Sequence, residues 1–402
     1  MKKKKNILII KKYDFIIMNQ TNNQYNVFPV GYYTFHKKQI FNFQLNRGYS
    51  LGFARFEDME KAGERIHNFQ DWKTEMVKLA EQALSKNRLL NAAYFYRAAE
   101  FYTFDDAAEK ELFYRNFIQY FQEAIQQADN KIERFEIPYQ KVFLPAMRVT
   151  QKGKKLGTIV LHGGFDSFLE EWYFMMKYLA SFGYEVIGFE GPGQGAALRK
   201  YGLPFDIEWE KPVSTILDFF HLSDITLFGL SMGGWLCMRA AAFEPRIQRV
   251  IASGHAIDYM KCYPYLIRVI HLWFLKQKGM TGFMNKMAMQ KAKADNVQGW
   301  MTRQLMYITK KDNPMEAFEV WLSMNEENIH SEKVTQDVLL LSGSEDHFIP
   351  IRMHQKQVEA LVNANSITDR IFTKKDYAQN HCQIGNIKLL LDTVIDWLRT
   401  EG

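Results

Sequence analysis

The chain has 402 residues, of which 47% are hydrophobic and 15% aromatic, with 51 Lys and Arg residues against 45 Asp and Glu. This composition supports a large folded core and excludes a disordered protein. The net charge of +6 comes from the first twelve residues, which hold six lysines and no acidic residue, so the rest of the chain is neutral. A nucleic-acid binder would carry its basic surface on the folded body, and we therefore expect no nucleic-acid partner.

The cysteines and the N-terminus indicate where the protein resides. Three cysteines are too few and too scattered for a disulfide framework or a zinc site, so we expect a reducing compartment, the cytoplasm, and no metal. The apolar run at 7–10 is shorter than the apolar region of a signal peptide, so we expect no secretion signal, and Met18 is an alternative start. The cysteines are Cys237, Cys262 and Cys382.

Three regions follow one another along the chain. Residues 1–50 show no sustained period and carry no structural prediction. Residues 51–130 contain good helix formers and no proline, with apolar residues three and four apart, which predicts a helical subdomain. Residues 131–402 alternate β-type runs with helical segments, which predicts a mostly parallel sheet with helices on both faces. The predicted strands are 134–139, 141–149, 157–161, 185–189, 225–228, 249–252, 338–341 and 367–372, the first two at the sheet edge because each contains a proline.

One insertion and one apolar run interrupt this alternation. Residues 257–335 have a helical pattern and hold nine of the nineteen methionines. Their apolar side chains either pack the insertion onto the body or form a cap that walls an apolar pocket, and the two roles can belong to different residues. The run at 225–243 has the length of a membrane span, but it contains Gly229, Ser231, Gly233, Gly234 and Arg239. It predicts a buried strand turning into a buried helix, and no membrane partner.

A strand followed by Gly-x-Ser-x-Gly is the sharpest local signal in the chain. A serine at the turn from strand to helix is held in a strained conformation, in which the residues two before and two after it would collide with the turn if they had side chains. Gly229 and Gly233 occupy those positions. The pattern therefore predicts Ser231 as an exposed nucleophile.

A serine nucleophile needs a histidine to take its proton and an acid to orient that histidine, in the chain order serine, acid, histidine. Asp346 follows a buried strand and is the predicted acid, with Glu345 as the fallback. His381 lies in the loop before the C-terminal helix and is the predicted base. His354 falls on a helix, and we predict that His347 forms loop hydrogen bonds.

Two backbone N–H groups must hold the negative charge that develops on the attacked carbonyl oxygen. Met232, at the start of the helix after the serine, supplies one of them. The loop after the strand at 157–161 reads His-Gly-Gly-Phe-Asp-Ser, and either Gly164 or Phe165 supplies the other.

Two further motifs have structural explanations. Ser167 and Glu170 form an S-x-x-E capping box, which accounts for the acidic pair Glu170 and Glu171. The segment Gly191-Pro-Gly-Gln-Gly-Ala matches a dinucleotide fingerprint, but no acidic residue ends a strand about twenty residues later. It therefore predicts a tight loop beside the active site, and no cofactor.

Taken together, these residues resemble the α/β-hydrolases. More narrowly, the chain is similar over about residues 45–400 to the branch that contains 2,6-dihydroxypseudooxynicotine hydrolase and the fungal polyketide-shortening hydrolases of pigment biosynthesis. The similar segments are NRGYSLGFARFEDMEKAGERI, NAAYFYRAAEFY, LHGGFDSFLEEWY, GFEGPGQG and GLSMGG. The resemblance implies an N-terminal helical lid and, as in some members, cleavage of carbon–carbon bonds in 1,3-diketones or aromatic ketones. The nicotine-pathway member uses an extra acidic residue, for which His255 and Asp258 are the pocket candidates here.

The sequence thus predicts an α/β-hydrolase fold and a serine hydrolase that acts on a small apolar or aromatic carbonyl compound. Ester hydrolysis and carbon–carbon hydrolysis use the same residues, and the sequence does not separate them. A hydrolase fold that binds or regulates without catalysis is the alternative from another class. A homodimer is one oligomeric state that the sequence leaves open.

Overall fold

The computed structural model describes residues 28–104, 107–128, 132–150, 153–266, 268–269 and 281–400. The predicted basic leader, the alternative start at Met18 and, in the predicted cap, residues 267 and 270–280 lie outside these residues. The described residues form a group of N-terminal helices, a single sheet with helices packed against it, and a helical insertion, which share one hydrophobic core.

Five helices of the described chain precede the sheet. They are α1 (Gln39–Ser50), α2 (Phe56–Arg65), α3 (Phe69–Leu84), α4 (Leu89–Phe101) and α5 (Ala107–Gln127). The side chain of Asn68 caps α3 by accepting a hydrogen bond from the N–H of Asp71. Every residue of α1 from Ile40 to Ser50 is buried, so this helix lacks the polar face of a surface helix.

Eight strands form the sheet in the described part of the chain. They are β1 (Glu133–Tyr139), β2 (Val142–Val149), β3 (Gly157–His162), β4 (Tyr184–Phe189), β5 (Ile225–Leu230), β6 (Ile247–Ser253), β7 (Asp337–Gly343) and β8 (Ser366–Phe372). Their spatial order is β1-β2-β4-β3-β5-β6-β7-β8, and all neighbours pair in parallel except β1 with β2 and β2 with β4. Since parallel strands end at one edge of the sheet, the loops after β3, β5 and β7 meet there.

The remaining helices connect the strands. Between strands or after them lie α6 (Tyr173–Ser181), α7 (Gly195–Arg199), α8 (Glu210–Phe219), α9 (Met232–Ala241), α14 (Arg352–Ala360) and α15 (Ile387–Thr400). The insertion between β6 and β7 carries α10 (Thr281–Ala292), α11 (Val297–Thr309), α12 (Pro314–Leu322) and α13 (Glu326–Ile329).

The predicted mostly parallel sheet is confirmed, and each predicted strand overlaps an observed one. The prediction that β2 lies at the sheet edge is wrong, because β2 pairs with both β1 and β4. Pro145 of β2 has no N–H to donate, but its carbonyl oxygen accepts a hydrogen bond from the N–H of Glu190 at 2.9 Å. The run at 225–243 forms β5 and α9, as predicted. Nowhere in the described ranges is a helix both long and apolar enough to cross a membrane.

Candidate active site

Ser231 lies at the sharp turn between β5 and α9. Its backbone has φ 60° and ψ −127°, a conformation that costs free energy for a residue with a side chain. The neighbouring glycines make the turn possible. A Cβ atom on Gly229 would lie 2.1 Å from the carbonyl oxygen of Gly233, and one on Gly233 would lie 2.5 Å from the carbonyl oxygen of Gly163.

His381 and Asp346 complete a chain of hydrogen bonds with this serine. The Nε2 atom of His381 lies 2.7 Å from Ser231 Oγ, and Nδ1 lies 2.6 Å from Asp346 Oδ2. The second carboxylate oxygen of Asp346 accepts hydrogen bonds from the N–H groups of Phe348 and Ile349, at 2.8 and 2.9 Å. The structure thus brings together the three residues that the sequence singles out, and it holds the carboxylate in one orientation.

The electrostatic environment of His381 favours a basic imidazole. Burial opposes its charged form, but the adjacent Asp346 carboxylate and the contact with Cys382 outweigh burial and raise the pKa of His381 above its ordinary value. The side chains of His381 and Asp346 are 8% and 3% exposed. The charge interaction between them is therefore little screened by water.

The three candidate oxyanion donors lie beside Ser231. The N–H of Met232 belongs to the first turn of α9 and so has no partner within the helix. Gly164 approaches that N–H closely, since a Cβ atom on Gly164 would lie 2.7 Å from Met232 N. Phe165 lines the cavity in front of Ser231. The geometry keeps both Gly164 and Phe165 as candidates for the second donor.

The glycine-rich segment 191–196 contacts the loop after β3 through the side chain of Gln194. A dinucleotide would place its phosphates at the N-terminus of the following helix, α7. That position is taken by the buried carboxylate of Glu190, whose Oε2 accepts a hydrogen bond from the N–H of Ala196 at 2.7 Å. Burial and the nearby Glu170 raise the pKa of Glu190 to about 7. The segment is a tight loop at the active-site edge.

The acidic pair Glu170 and Glu171 has a structural role, but the cap that it forms differs from the predicted one. The N–H of Phe168 donates to Oε2 of Glu171 at 2.9 Å, so the cap lies one residue later than the predicted box of Ser167 and Glu170. Glu170 instead pairs with Arg134 at 2.8 Å.

Two buried arginines of the N-terminal helices hold the loop after β3, and sequence reasoning missed both. Arg47 of α1 pairs with Asp166 at 2.7 Å and with Glu171 at 2.9 Å. Arg97 of α4 pairs with Glu171 at 3.0 Å and donates from Nη2 to the carbonyl oxygen of Asp166 at 2.5 Å. No local motif marks these pairs, because their members are 69 or more residues apart in sequence.

Ser231 and His381 lie in the wall of an apolar cavity of about 480 Å³, a volume typical of sites for small organic ligands. Its wall comes from α1, the helical insertion and the loops at the sheet edge. Trp300 of the insertion lines the cavity and also stacks on Phe101 of α4 at a centroid distance of 5.0 Å. Further wall residues are Phe43, Gln44, Arg47, Phe165, Met232, Tyr259, Cys262, Met301, Trp321, His347, Phe348 and Cys382.

His347 does not form the predicted loop hydrogen bonds. Both of its ring nitrogens are buried and have no hydrogen-bond partner in the described residues. Its ring lies 3.9 Å from that of Phe348 and 4.8 Å from that of Phe43, measured between centroids. Burial lowers the pKa of His347 to about 4, so the ring is neutral and acts as an aromatic part of the cavity wall.

The two pocket candidates lie outside the wall of this cavity as the described residues define it. The Nε2 atom of His255 is 3.1 Å from Oε1 of the buried Gln357, and a hydrogen bond joins these two side chains. Asp258 accepts a hydrogen bond from the N–H of Lys261 at 3.1 Å. Neither is retained as a substrate contact. Within the described ranges, no three His, Cys, Asp or Glu side chains are grouped as a metal site requires.

Comparison with known proteins places these features in a family. The sequence pattern described as the alpha/beta hydrolase fold matches residues 159–372, just over half of the chain. An alpha/beta hydrolase of an Acremonium species is 28% identical over 231 residues, which cover 50% of this chain and 46% of that protein. The 20-hydroxy-prefusarin hydrolase of Gibberella moniliformis is 30% identical over 260 residues, which cover 54% of this chain and 61% of that protein. The chain spans about half the length of the curated relatives it matches.

A solved structure extends the likeness to the whole fold. The crystal structure of 2,6-dihydroxy-pseudo-oxynicotine hydrolase matches with a TM-score of 0.61 and 20% identity, covering 88% of this chain and 94% of that one. At this identity the likeness concerns the fold alone. The resemblance inferred from the sequence segments is confirmed. The match over 159–372, together with the mostly parallel sheet, establishes that the chain belongs to the alpha/beta hydrolase fold family.

Proposed function

We propose that the protein is a serine hydrolase in which Ser231 attacks the carbonyl carbon of an apolar or aromatic substrate. The observation that carries the proposal is the continuous set of hydrogen bonds from Ser231 through His381 to Asp346, in the wall of an apolar cavity. A nucleophile, a base within 2.7 Å and an orienting acid are the groups that acyl transfer requires.

In the first half-reaction, Ser231 Oγ bonds to the carbonyl carbon while its proton passes to His381 Nε2. The carbonyl oxygen takes the negative charge and is held by the N–H of Met232 and that of Gly164 or Phe165. Asp346 stabilises the imidazolium. When the intermediate collapses, the leaving group departs with the proton from His381, and the acyl group stays on the serine.

In the second half-reaction, His381 takes a proton from water as the water oxygen attacks the acyl carbon. The same N–H groups hold the second oxyanion. Its collapse releases the acid and returns the proton to Ser231. In an ester the leaving group is an alcohol, and in a β-diketone it is a carbanion that the proton from His381 turns into a ketone, so both reactions balance with the same residues.

The substrate is proposed to be buried between the core loops, α1 and the insertion. The cavity volume of about 480 Å³ suits a small organic substrate. The aromatic and aliphatic side chains that dominate the wall suit an apolar one. The relative named as a 20-hydroxy-prefusarin hydrolase supports a small organic molecule, rather than a peptide or nucleic acid, as the substrate.

Covalent labelling tests the catalytic proposal. A fluorophosphonate should label the wild type and fail to label Ser231→Ala. Ser181→Ala is the matched control, because the hydroxyl of Ser181 only donates to the carbonyl oxygen of Tyr178 at 2.6 Å and lies outside the cavity wall. An unlabelled, folded wild type would refute the enzyme and favour a binding or regulatory role.

A substrate panel separates the two chemistries. A carbon–carbon hydrolase should turn over aryl 1,3-diketones far faster than p-nitrophenyl acetate, and an esterase should show the reverse order. Ser231→Ala supplies the background rate for each substrate.

A further inference from the structure

One side chain that the mechanism does not use, that of Gln194, donates hydrogen bonds to the loop after β3. Gln194, in the glycine-rich segment 191–196, is 5% exposed. Its amide nitrogen donates to the carbonyl oxygens of Gly163 and Gly164, at 2.8 and 3.1 Å. Its amide oxygen accepts a hydrogen bond from the N–H of Gly191 at 3.1 Å, which fixes which end of the amide faces the loop.

These two carbonyl groups belong to the peptide units that carry the candidate oxyanion donors. In a planar trans peptide, the C=O of one residue and the N–H of the next point in opposite directions. A hydrogen bond to the carbonyl of Gly163 therefore fixes the N–H of Gly164, and one to the carbonyl of Gly164 fixes the N–H of Phe165. Both N–H groups are directed away from Gln194.

The following peptide units are held by other elements. The carbonyl oxygen of Phe165 accepts a hydrogen bond from Gln304 of α11 at 2.9 Å, and that of Asp166 accepts one from Arg97. The carbonyl oxygen of Gly163 also lies 3.1 Å from His162 Nδ1. Among the described residues, Gln194 is the side chain whose hydrogen bonds reach both candidate donor units. The N–H groups of Gly164 and Phe165 have no partner in the described part of the chain, as expected of donors kept free for a ligand.

We propose that Gln194 is a positioning residue that orients the oxyanion-binding peptide units of Gly164 and Phe165. Whichever of the two donates, the amide of Gln194 is bonded to the carbonyl oxygen of its peptide unit. This inference rests on the proposed serine hydrolase function. It gives the sequence Gly-Pro-Gly-Gln-Gly a role beyond a tight turn, because Gly191 and the glutamine act as one unit.

The test compares two variants that affect the bonds of Gln194 differently. Gln194→Met keeps the length and volume of the side chain and removes all its hydrogen bonds. Gln194→Glu retains the acceptor for the N–H of Gly191 but, as a carboxylate, cannot donate to the two carbonyl oxygens. Gln336→Met is the matched control. The buried Gln336 also donates to a backbone carbonyl, that of Ala241, and accepts from a backbone N–H, but lies outside the cavity wall.

We expect both Gln194 variants to lower kcat about 10²-fold, the effect of impairing an oxyanion donor, with KM changed less than about twofold. Their affinity for an aryl trifluoromethyl ketone, whose adduct on the serine mimics the tetrahedral intermediate, should fall by a similar factor. Gln336→Met should lower the urea midpoint and leave kcat unchanged. Rates are expressed per folded enzyme, measured from the urea transition in the assay buffer.

Three results would overturn the inference: full kcat in Gln194→Glu, a loss of kcat without weaker binding of the ketone, or an equal loss of kcat in Gln336→Met. Failure of the proposed function has a different signature, since wild-type enzyme would then neither react with fluorophosphonate nor turn over any ester or diketone.

Discussion

Arg97 of α4 donates a hydrogen bond to the main-chain carbonyl oxygen of Asp166 at 2.5 Å. Asp166 directly follows Phe165 in the loop after β3, and Arg47 of α1 holds the side chain of the same aspartate at 2.7 Å. Both arginines are nearly inaccessible to solvent. Helices α1 and α4 therefore support the loop after β3, and α1 also lines the cavity.

Removing Arg97 is expected to destabilise the fold more than removing an exposed arginine. Arg97→Met leaves the buried Glu171 with one arginine instead of two and should lower the free energy of unfolding by about 3 kcal/mol. Arg65→Met removes a pair with Glu75 whose arginine is 51% exposed, so we expect a loss below about 1 kcal/mol. Urea denaturation measures both, and equal losses would contradict the buried role of Arg97.

Loss of the proposed base should abolish most turnover without unfolding the protein. We expect His381→Ala to lower kcat at least about 10³-fold. His354 is a stringent control, because its two ring nitrogens also lie 2.9 Å from a serine, Ser342, and from an aspartate, Asp369. Ser342 lies within strand β7 rather than at a strained turn before a helix. His354→Ala should therefore retain kcat, and survival of activity in His381→Ala would mean that the base is misassigned.

The rate should fall at acidic pH as His381 becomes protonated, because only the neutral imidazole accepts the proton of Ser231. Asp346 raises the pKa of His381, so the midpoint of the ascending limb of kcat/KM should lie above the ordinary value of 6.5. Asp346→Asn removes this charge, so it should shift the midpoint to lower pH and lower kcat about 10⁴-fold. Profiles at constant ionic strength test this, and a variant midpoint at or above that of the wild type would contradict it.

The close approach of Gly164 to α9 predicts a position that tolerates no side chain. In Gly164→Ala the new Cβ would lie 2.7 Å from Met232 N, so the loop must move away from the serine. We expect kcat to fall about 10²-fold. Gly157→Ala, at the start of the strand β3 that precedes this loop, would place its Cβ 3.8 Å from the ring of Tyr184 and should retain full kcat. Steady-state kinetics of both variants tests this prediction. Full activity in Gly164→Ala would show that this loop does not supply an oxyanion donor.

His347 makes stability sensitive to acid. Burial lowers its pKa to about 4 in the folded protein, below the unfolded value near 6.5, so its contribution is present above pH 6.5 and is lost as the pH falls toward 4. His347→Phe removes the titration and two unpaired buried nitrogens, so it should match or exceed the stability of the wild type at pH 7. Urea unfolding at pH 7 and pH 5 should show a smaller difference for the variant. An unchanged difference would assign the acid sensitivity to other groups.

Local patterns were sufficient to predict the strands and the candidate triad. Central strands such as β3, β5 and β7 are short runs rich in aliphatic and β-branched residues. The order of the triad along the chain and the positions of the strand ends leave few choices for the acid and the base. The helix α1 could not be predicted, because even its polar residues are buried and the helical period of hydrophobicity disappears. Asn46, for example, satisfies its amide on the backbone N–H and carbonyl oxygen of Tyr33.

Other features of the site depend on contacts that no local pattern encodes. The pairs of Arg47 and Arg97 with Asp166 join residues far apart in sequence, so only the folded chain reveals them. The neutral state of His347 follows from the aromatic rings of Phe43 and Phe348 around it, which sequence spacing does not show. For that reason the prediction that His347 forms loop hydrogen bonds was wrong.

The contacts that build the site also fix when it forms during folding. The hydrogen bond between Ser231 and His381 spans 150 residues, and that between Arg47 and Asp166 spans 119. Contacts of such separation form only after long loops have closed, at a cost in chain entropy that local helices and hairpins do not incur. We therefore expect a nascent or partly refolded chain to form its helices and the β1–β2 hairpin before the hydrogen bond between Ser231 and His381. Labelling of Ser231 during refolding should accordingly lag behind the recovery of secondary structure.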